Sequence, residues 1–252
     1  KIWAIRFINP ETDEVMYRLV VLSRNLTTDS SWDLSLQLDG YPVKRKQSAN
    51  KALVHLFSAL PKRATGKMPK HRRAQAQRFA DELLYVEWEC PAGFDEVAFF
   101  LPGEGYDWQP PEADRAVVIS PFCTDEALQH IVKHCQQADA LISRPDTLLA
   151  LSEETRGLFT RQLHLDDAAE EQASDENTPD DIIASGLHAK AYLFENGRDS
   201  ELVLGSANAT SAALLGKTNC EILVSLKGKK KHTGTIDDLL SLSLIHISEP
   251  TR

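Results

Sequence analysis

The stretch from Gly186 to Thr210 reads GLHAKAYLFENGRDSELVLGSANAT and contains two strand-like runs of bulky apolar residues. The first run carries His188 and Lys190, two positions apart, and the second ends in Gly205, Ser206 and Asn208. Alternate side chains of a strand project from one face, so we expect His188 beside Lys190 and Ser206 beside Asn208. These four polar groups would form a small cradle, and Gly205 would allow the backbone to come close to another segment.

The beginning of the chain repeats this pattern. KIWAIRF (1–7) resembles KAYLFEN (190–196), RLVVLSRNLT (18–27) resembles ELVLGSANAT (201–210), and WDLSLQLDG (32–40) resembles CEILVSLKG (220–228). The alignment pairs Lys1 with Lys190, Ser23 with Ser206, Asn25 with Asn208, and Asp33 with Glu221. Three matches in one order predict two copies of one α/β unit, the first repeat (1–40) and the second repeat (190–228), with two half-sites facing each other.

Strand-like and helix-like segments alternate along the chain, which favours a layered α/β architecture. Helical spacing predicts a helix from Ser48, as its cap, to a point before Pro61, and another over 72–86. We therefore expect a first lobe in 1–112 that lacks its beginning, and a second lobe in 113–241 that contains an acidic loop at 165–181. Residues 242–252 resemble the translation of a sequencing adapter, which predicts a non-native tail and a truncated reading frame.

The charge is unevenly distributed. The net charge of −9 argues against general affinity for nucleic acid, but residues 44–78 hold eleven Lys and Arg and no Asp or Glu. The segment is either a solvated loop or a surface that faces phosphates. The predicted nucleic-acid patch comprises Lys44, Arg45, Lys46, Lys62, Arg63, Lys70, Arg72 and Arg73.

Composition narrows the class of protein. No apolar run approaches the roughly 20 residues that span a bilayer, so we expect no stable membrane insertion. The four cysteines are scattered without metal-binding spacing, which favours reduced thiols and a cytoplasmic location. His130 and His134 are four apart on a predicted helix but have no evident third ligand, so we expect neither a metal site nor a cofactor.

H-x-K at His188 and Lys190, followed by G-S-x-N at 205–208, resembles the phospholipase D superfamily. The resemblance implies a bilobal α/β fold, one metal-independent active site at the lobe interface, and two histidines acting on a phosphodiester in lipid or nucleic acid. One imidazole would attack phosphorus to form a phosphohistidine, and the other, assigned to His188, would act as acid and base. The nucleophilic histidine would stand two residues before Lys1, outside this chain.

The same resemblance implies roles for the remaining site residues. Lys190 and Lys1 would neutralise the phosphoryl oxygens, Asn208 and Asn25 would donate hydrogen bonds, and Glu221 and Asp33 would orient the histidine of the opposite lobe. Ser206, Gly205 and Ser23 would support the phosphate.

Three positions depart from the family pattern. The aspartate expected five residues after each lysine is Glu195 in the second repeat and Arg6 in the first, and Leu22 replaces a glycine. The missing aspartates favour the nuclease and DNA-end-processing branches over the lipase branch. Two alternatives stay open: a phospholipid hydrolase or phosphatidyltransferase, and a catalytically degenerate protein that binds nucleic acid or acts as a scaffold. Fusion to a helicase or restriction module also stays open.

Overall fold

Two β-sheets and several helices organise the chain, for which the computed structural model describes residues 1–24, 31–165 and 186–241. The first sheet is antiparallel in the order β1-β2-β3-β4, and the second is mixed in the order β5-β11-β10-β9-β6-β7-β8. The strands are β1 Ile2–Ile8, β2 Val15–Leu22, β3 Ser35–Pro42, β4 Val86–Trp88, β5 Phe94–Phe100, β6 Ala113–Ile119, β7 Cys135–Ile142, β8 Phe159–Leu163, β9 Ala191–Asn196, β10 Asp199–Gly205 and β11 Leu223–Lys229.

Helices cover both sheets and connect their strands. They are α1 Lys51–Arg63, α2 Lys70–Leu83, α3 Asp125–Val132, α4 Pro145–Ala150, α5 Glu153–Arg156, α6 Ser211–Leu214, α7 Lys230–Thr233 and α8 Ile236–Leu240, with a 3-10 turn at Ser48–Asn50. The mixed α/β class agrees with the sequence expectation. Asn25, residues 166–181 of the predicted acidic loop and the predicted tail at 242–252 lie outside the described residues.

The meanders β1-β2-β3 and β9-β10-β11 have the same connectivity and register. Leu22 lies opposite Ser35 in the first, and Gly205 lies opposite Leu223 in the second. The sequence alignment pairs these same positions. The backbone N–H of Ser23 donates to the carbonyl of Leu34 at 2.9 Å, and the amide of Ser206 makes the corresponding 2.9 Å bond to Ile222.

The two meanders differ in what covers them. The outer edge of β9 pairs with β6, whereas in the described part of the chain β1 pairs with β2 alone. Trp3 and Ile5 on β1 are exposed, but Tyr192 and Phe194, at the corresponding positions of β9, are buried against α3 and α6. An apolar row is therefore covered in the second meander and open in the first.

One apolar core joins the two sheets. Side chains of β2 and β3 pack with α1, α2 and the face of β10 and β11 that carries Leu204 and Val224. β5 precedes residue 112 but pairs with β11, so the expected lobe boundary at 112 does not coincide with a boundary between the sheets.

The first helix differs at both ends from the sequence expectation. Ser48 lies in the 3-10 turn and makes no side-chain capping bond, and Pro61 lies inside α1. Pro61 removes one backbone hydrogen bond from the last turn of α1. It is tolerated because only two helical residues follow it, so the interruption lies close to the natural end of the helix. Buried Asn50 anchors the start of α1, since its side-chain amide donates to the carbonyls of Leu83 and Val86, each at 2.7 Å.

Glu195 connects β9 to the C-terminal helices. Its carboxylate is 3% exposed, accepts the backbone N–H of Ile236 at 2.6 Å, and pairs with Lys230 at 3.3 Å and Arg115 at 3.8 Å. Ion pairs with Asp237 and then Asp139 raise the pKa of the Arg115 guanidinium. Glu195 therefore holds α7 and α8 against the sheet.

We expect Glu195→Ala to lower the free energy of unfolding by about 1–3 kcal/mol, because it leaves a buried helix N–H and the partly buried Lys230 and Arg115 without this acceptor. Asp199→Ala is the matched control, since it removes a surface partner of the half-exposed Lys229 and should cost under about 1 kcal/mol. Urea denaturation of both variants measures the difference, and equal costs would contradict a structural role for Glu195.

Candidate functional site

The predicted cradle lies at one edge of the seven-stranded sheet, which we call the site edge. The parallel strands β6, β7 and β8 have their carboxyl ends there, and the antiparallel partners place the start of β9 and the end of β10 at the same edge. Crevices beyond the carboxyl ends of parallel strands are common ligand sites, because the connecting loops converge there.

His188 and Lys190 lie in an extended segment just before β9, whereas the sequence analysis placed them inside a strand. The reason is a contact with the first repeat. The backbone amides of His188 and Ala189 both donate to the carbonyl of Trp32, at 2.7 and 2.9 Å, and the Trp32 amide donates to Gly186 at 2.9 Å. The segment therefore pairs with Trp32 before it joins the sheet.

Lys190 is a buried cation among other charges. Its side chain is 2% exposed, and its ammonium donates to the backbone carbonyl of His188 at 2.8 Å. Burial, and next the positive charge of Lys1, lower its pKa to about 8, while Asp33 and Glu221 act in the opposite direction. Charged groups from both repeats therefore act on one ammonium.

The His188 imidazole is half-buried. Burial first, and then the charges of Lys190 and Arg24, lower its pKa below the ordinary value, against the opposing effect of Asp33. Its Nδ1 atom is buried and has no hydrogen-bond partner among the described residues. The ring is therefore mostly neutral at pH 7 and has a lone pair or proton available to a ligand.

Ser206 is fixed by two contacts within the second repeat. Its hydroxyl donates to the carboxylate of Glu221 and accepts the backbone N–H of Ile222 at 3.1 Å. Gly205 precedes it at φ +157°, and a Cβ there would lie 2.1 Å from the carbonyl oxygen of Ile222. Asn208 follows, and its Oδ1 atom is buried without a partner in the described ranges.

The first repeat arranges its equivalents differently. The Ser23 hydroxyl accepts the backbone N–H of Leu34 at 3.0 Å, like Ser206 with Ile222, but Asp33 pairs with Arg24 at 3.0 Å. Within the described part of the chain, Glu221 and Asp33 thus bind partners in their own repeats. The side chain of Lys1 is exposed, and its carbonyl accepts the amide of Leu22 at 3.0 Å.

The predicted nucleic-acid patch divides into two groups. Lys44, Arg45 and Lys46 follow the far end of β3, roughly 25 Å along that strand from the site edge. The other five, Lys62, Arg63, Lys70, Arg72 and Arg73, cluster where α1 ends and α2 begins. That end lies near the site edge. Glu104, and next Cys220, raise the pKa of Arg63, so Arg63 lies close to Cys220, which is adjacent to Glu221 in the chain.

Arg24 and Arg144 are site residues that the sequence analysis did not select. Both lower the pKa of His188, so both cations lie near its ring. Arg24 stands between the two aligned polar positions of the first repeat and could have been found there; Arg144 follows β7, and no motif marks it.

A scan of known protein families finds no model that matches this chain, and a search of curated proteins finds no match either. Within the described residues, no helix is long and apolar enough to cross a bilayer. The same residues contain no group of three or more His, Cys, Asp or Glu side chains placed to hold a metal ion.

We expect Gly205→Ala to destabilise the protein by more than about 2 kcal/mol, because the new methyl group would overlap a backbone carbonyl. Gly66→Ala is the control, since nothing lies within 4 Å of its Cβ position. Thermal unfolding compares the two variants. Equal stability would show that the backbone does not approach closely at Gly205.

Lys190 predicts a pH dependence of stability. Its pKa is lowered in the folded protein, so the unfolded chain binds more protons between about pH 8 and 10.5, and stability should rise with pH across that window. The rise attributable to Lys190 is roughly 2–3 kcal/mol. Urea denaturation at pH 7.5 and 10.5 should show it as a change in the difference between wild type and Lys190→Met. Lys62→Met, at an exposed position, should show no such change.

Proposed function

We propose that this protein is a metal-independent phosphodiesterase that acts on nucleic acid through a phosphohistidine intermediate. The observation that carries the proposal is the convergence of charged groups from both sequence repeats on His188 and Lys190 at the site edge. Lys190 responds to Lys1 and Asp33 as well as to Glu221. A cluster with this excess of cations is suited to an anionic ligand such as phosphate.

We further propose that the two repeats are corresponding parts of two duplicated phospholipase D-like lobes. The matching registers of the two meanders support this arrangement. The open edge of β1 and the exposed Trp3 and Ile5 would then be covered by counterparts of β6, β7 and α3. The nucleophilic histidine would stand in that additional part of the protein, two residues before Lys1.

The proposed chemistry has two steps. The nucleophilic imidazole attacks phosphorus and forms a P–N bond while the P–O bond to the leaving alkoxide breaks, and His188 gives that alkoxide a proton. His188 then takes a proton from water, whose oxygen attacks phosphorus as the P–N bond breaks. Lys190, Lys1 and Arg24 neutralise the non-bridging oxygens in both steps.

The lowered pKa of His188 fits this cycle. A neutral imidazole can accept the proton of water, whereas protonating the alkoxide requires its cationic form. A bound phosphodiester anion would raise the pKa of the ring and supply that form when substrate is present. The acid role is therefore coupled to substrate binding.

Nucleic acid is the favoured substrate because of the cations near the site edge. The group at the α1–α2 junction is exposed, and it lies beside the loop that contains Cys220. Several cations beyond the reacting phosphate suit a polymer with many phosphates, because each neutralised phosphate releases counterions.

The test uses the protein extended to include the proposed nucleophilic histidine, with labelled DNA and RNA in EDTA. We expect cleavage, and at least a 100-fold loss of rate in His188→Gln, the effect of removing a general acid and base. His134→Gln is the control, because His134 is exposed at the opposite edge of the sheet, where its carbonyl accepts the amide of Ala113. Residues 1–241 alone should not turn over.

The outcomes separate the alternatives. Cleavage that requires added metal would overturn the proposal. Release of choline from phosphatidylcholine vesicles without nucleic-acid cleavage would assign the site to lipids. Binding of nucleic acid without cleavage by the extended protein would assign it to a catalytically degenerate binder.

A further inference from the structure

Two loops beside Asn208 carry exposed side chains that the proposed chemistry does not use. The loop after β6 contains Phe122, and its next residue, Cys123, forms a parallel bridge with Ala209. The loop after β7 contains Arg144. Both loops emerge from the site edge, so Phe122 and Arg144 stand next to the cradle.

Phe122 and Arg144 form a pair. The Arg144 guanidinium carbon lies 5.4 Å from the centroid of the Phe122 ring, the spacing of a cation–π contact. Phe122 is 41% exposed, and the Arg144 side chain is 40% exposed. Arg144 also pairs with Asp146, but that bond is long at 3.5 Å and the carboxylate is 69% exposed. The guanidinium thus retains capacity for an anion.

The backbone holds this pair in place. Ser120 donates its hydroxyl to the carbonyl of Phe122 at 2.7 Å and accepts the amide of Ala209 at 3.0 Å. Thr147, buried in α4, donates to the carbonyl of Pro121 at 2.9 Å and joins the two loops. A large aromatic ring is therefore kept exposed on a tethered loop beside Asn208, whose Oδ1 atom has no hydrogen-bond partner among the described residues; this is the arrangement of a pre-formed binding surface.

We propose that Phe122 and Arg144 form a nucleotide subsite in which an unpaired base stacks on the ring and Arg144 binds the phosphate next to the scissile one. This inference rests on the proposed function and specifies its substrate as single-stranded nucleic acid. Both faces of a base inside a duplex are already stacked, so only an unpaired or splayed base is free to stack on Phe122. The cations at the α1–α2 junction bind the backbone further along the strand.

Binding by the chain as it exists tests the inference without requiring turnover. Fluorescence anisotropy measures the Kd of the full chain, residues 1–252, for a labelled single-stranded oligonucleotide and for its duplex. We expect the single strand to bind more tightly, and Phe122→Ala to weaken its binding roughly tenfold, the size of a lost base-stacking contact. Phe122→Tyr should restore affinity, since it keeps the aromatic face.

Phe7→Ala is the matched control for the ring. Phe7 is also 41% exposed and also lies under an arginine, Arg18, at 5.7 Å, but it is near the far end of β1. Arg144→Ala should weaken binding and reduce the dependence of log Kd on log salt by about one phosphate contact. Arg198→Ala, exposed in the turn between β9 and β10, should do neither.

The result that overturns the inference is a Phe122→Ala affinity within twofold of the Phe7→Ala affinity, or tighter binding of the duplex than of the single strand. Failure of the proposed function would look different. The extended protein would then cleave no phosphodiester, while Phe122→Ala would still weaken single-strand binding. Equal binding of all variants to vesicles of anionic lipid would count against the nucleotide subsite.

Discussion

The candidate site depends on one main-chain contact, the pairing of Trp32 with residues 186–189. A single carbonyl at Trp32 accepts two consecutive amides, those of His188 and Ala189. This pairing joins the first repeat to the second at the site edge and brings Asp33 and Arg24 toward the imidazole. Because it uses backbone groups, the contact does not depend on the identity of either side chain.

The electrostatics at this contact favour an anion. Lys190 is buried although Lys1 and Arg24 carry like charges nearby, and the pKa of its ammonium falls as a result. Burying an ammonium near like charges is unfavourable unless groups of opposite sign compensate it, and Asp33 and Glu221 do so in part. A phosphate group would complete the compensation. His188 Nδ1 and Asn208 Oδ1, which have no partner among the residues that the structure describes, supply hydrogen-bonding capacity at the site edge.

Two residues that differ from the phospholipase D-like sequence pattern, Glu195 and Arg6, have structural roles in the sheets. Glu195 lies five residues beyond Lys190 along the chain, roughly 16 Å away in an extended segment, and it holds the C-terminal helices. Arg6 stands at the corresponding place in the first repeat, where it contacts Tyr17 and Glu82 at 3.3 and 3.2 Å. Both residues therefore stabilise the sheets at a distance from His188 and Lys190.

Sequence alone determined the features that depend on local pattern. Apolar alternation indicated most of the strands, and the repeat predicted equivalent positions such as Ser23 and Ser206, whose backbone bonds are indeed alike. The H-x-K and G-S-x-N motifs predicted His188, Lys190 and Asn208 as site residues. A motif can do this because His188 and Lys190 are two residues apart and Asn208 lies in the next strand-like segment. The limits of α1 were less predictable, since buried Asn50 anchors the helix through contacts with residues more than thirty positions away.

Tertiary structure decided what depends on distant partners. The backbone of the His188 segment pairs with Trp32, and β9 begins only after Lys190, at Ala191. Burial, and next the positive charge of Lys1, lower the pKa of Lys190. Glu221 binds Ser206 while Asp33 binds Arg24, although the alignment treats the two carboxylates alike. The basic segment divides because β3 and the α1–α2 hairpin carry its parts to opposite ends of the molecule. Arg144 joins the site only because β7 ends beside β6. The charges around each site residue, its burial and its neighbours across the sheet are supplied by chain segments far apart in sequence. A local sequence pattern therefore cannot predict them.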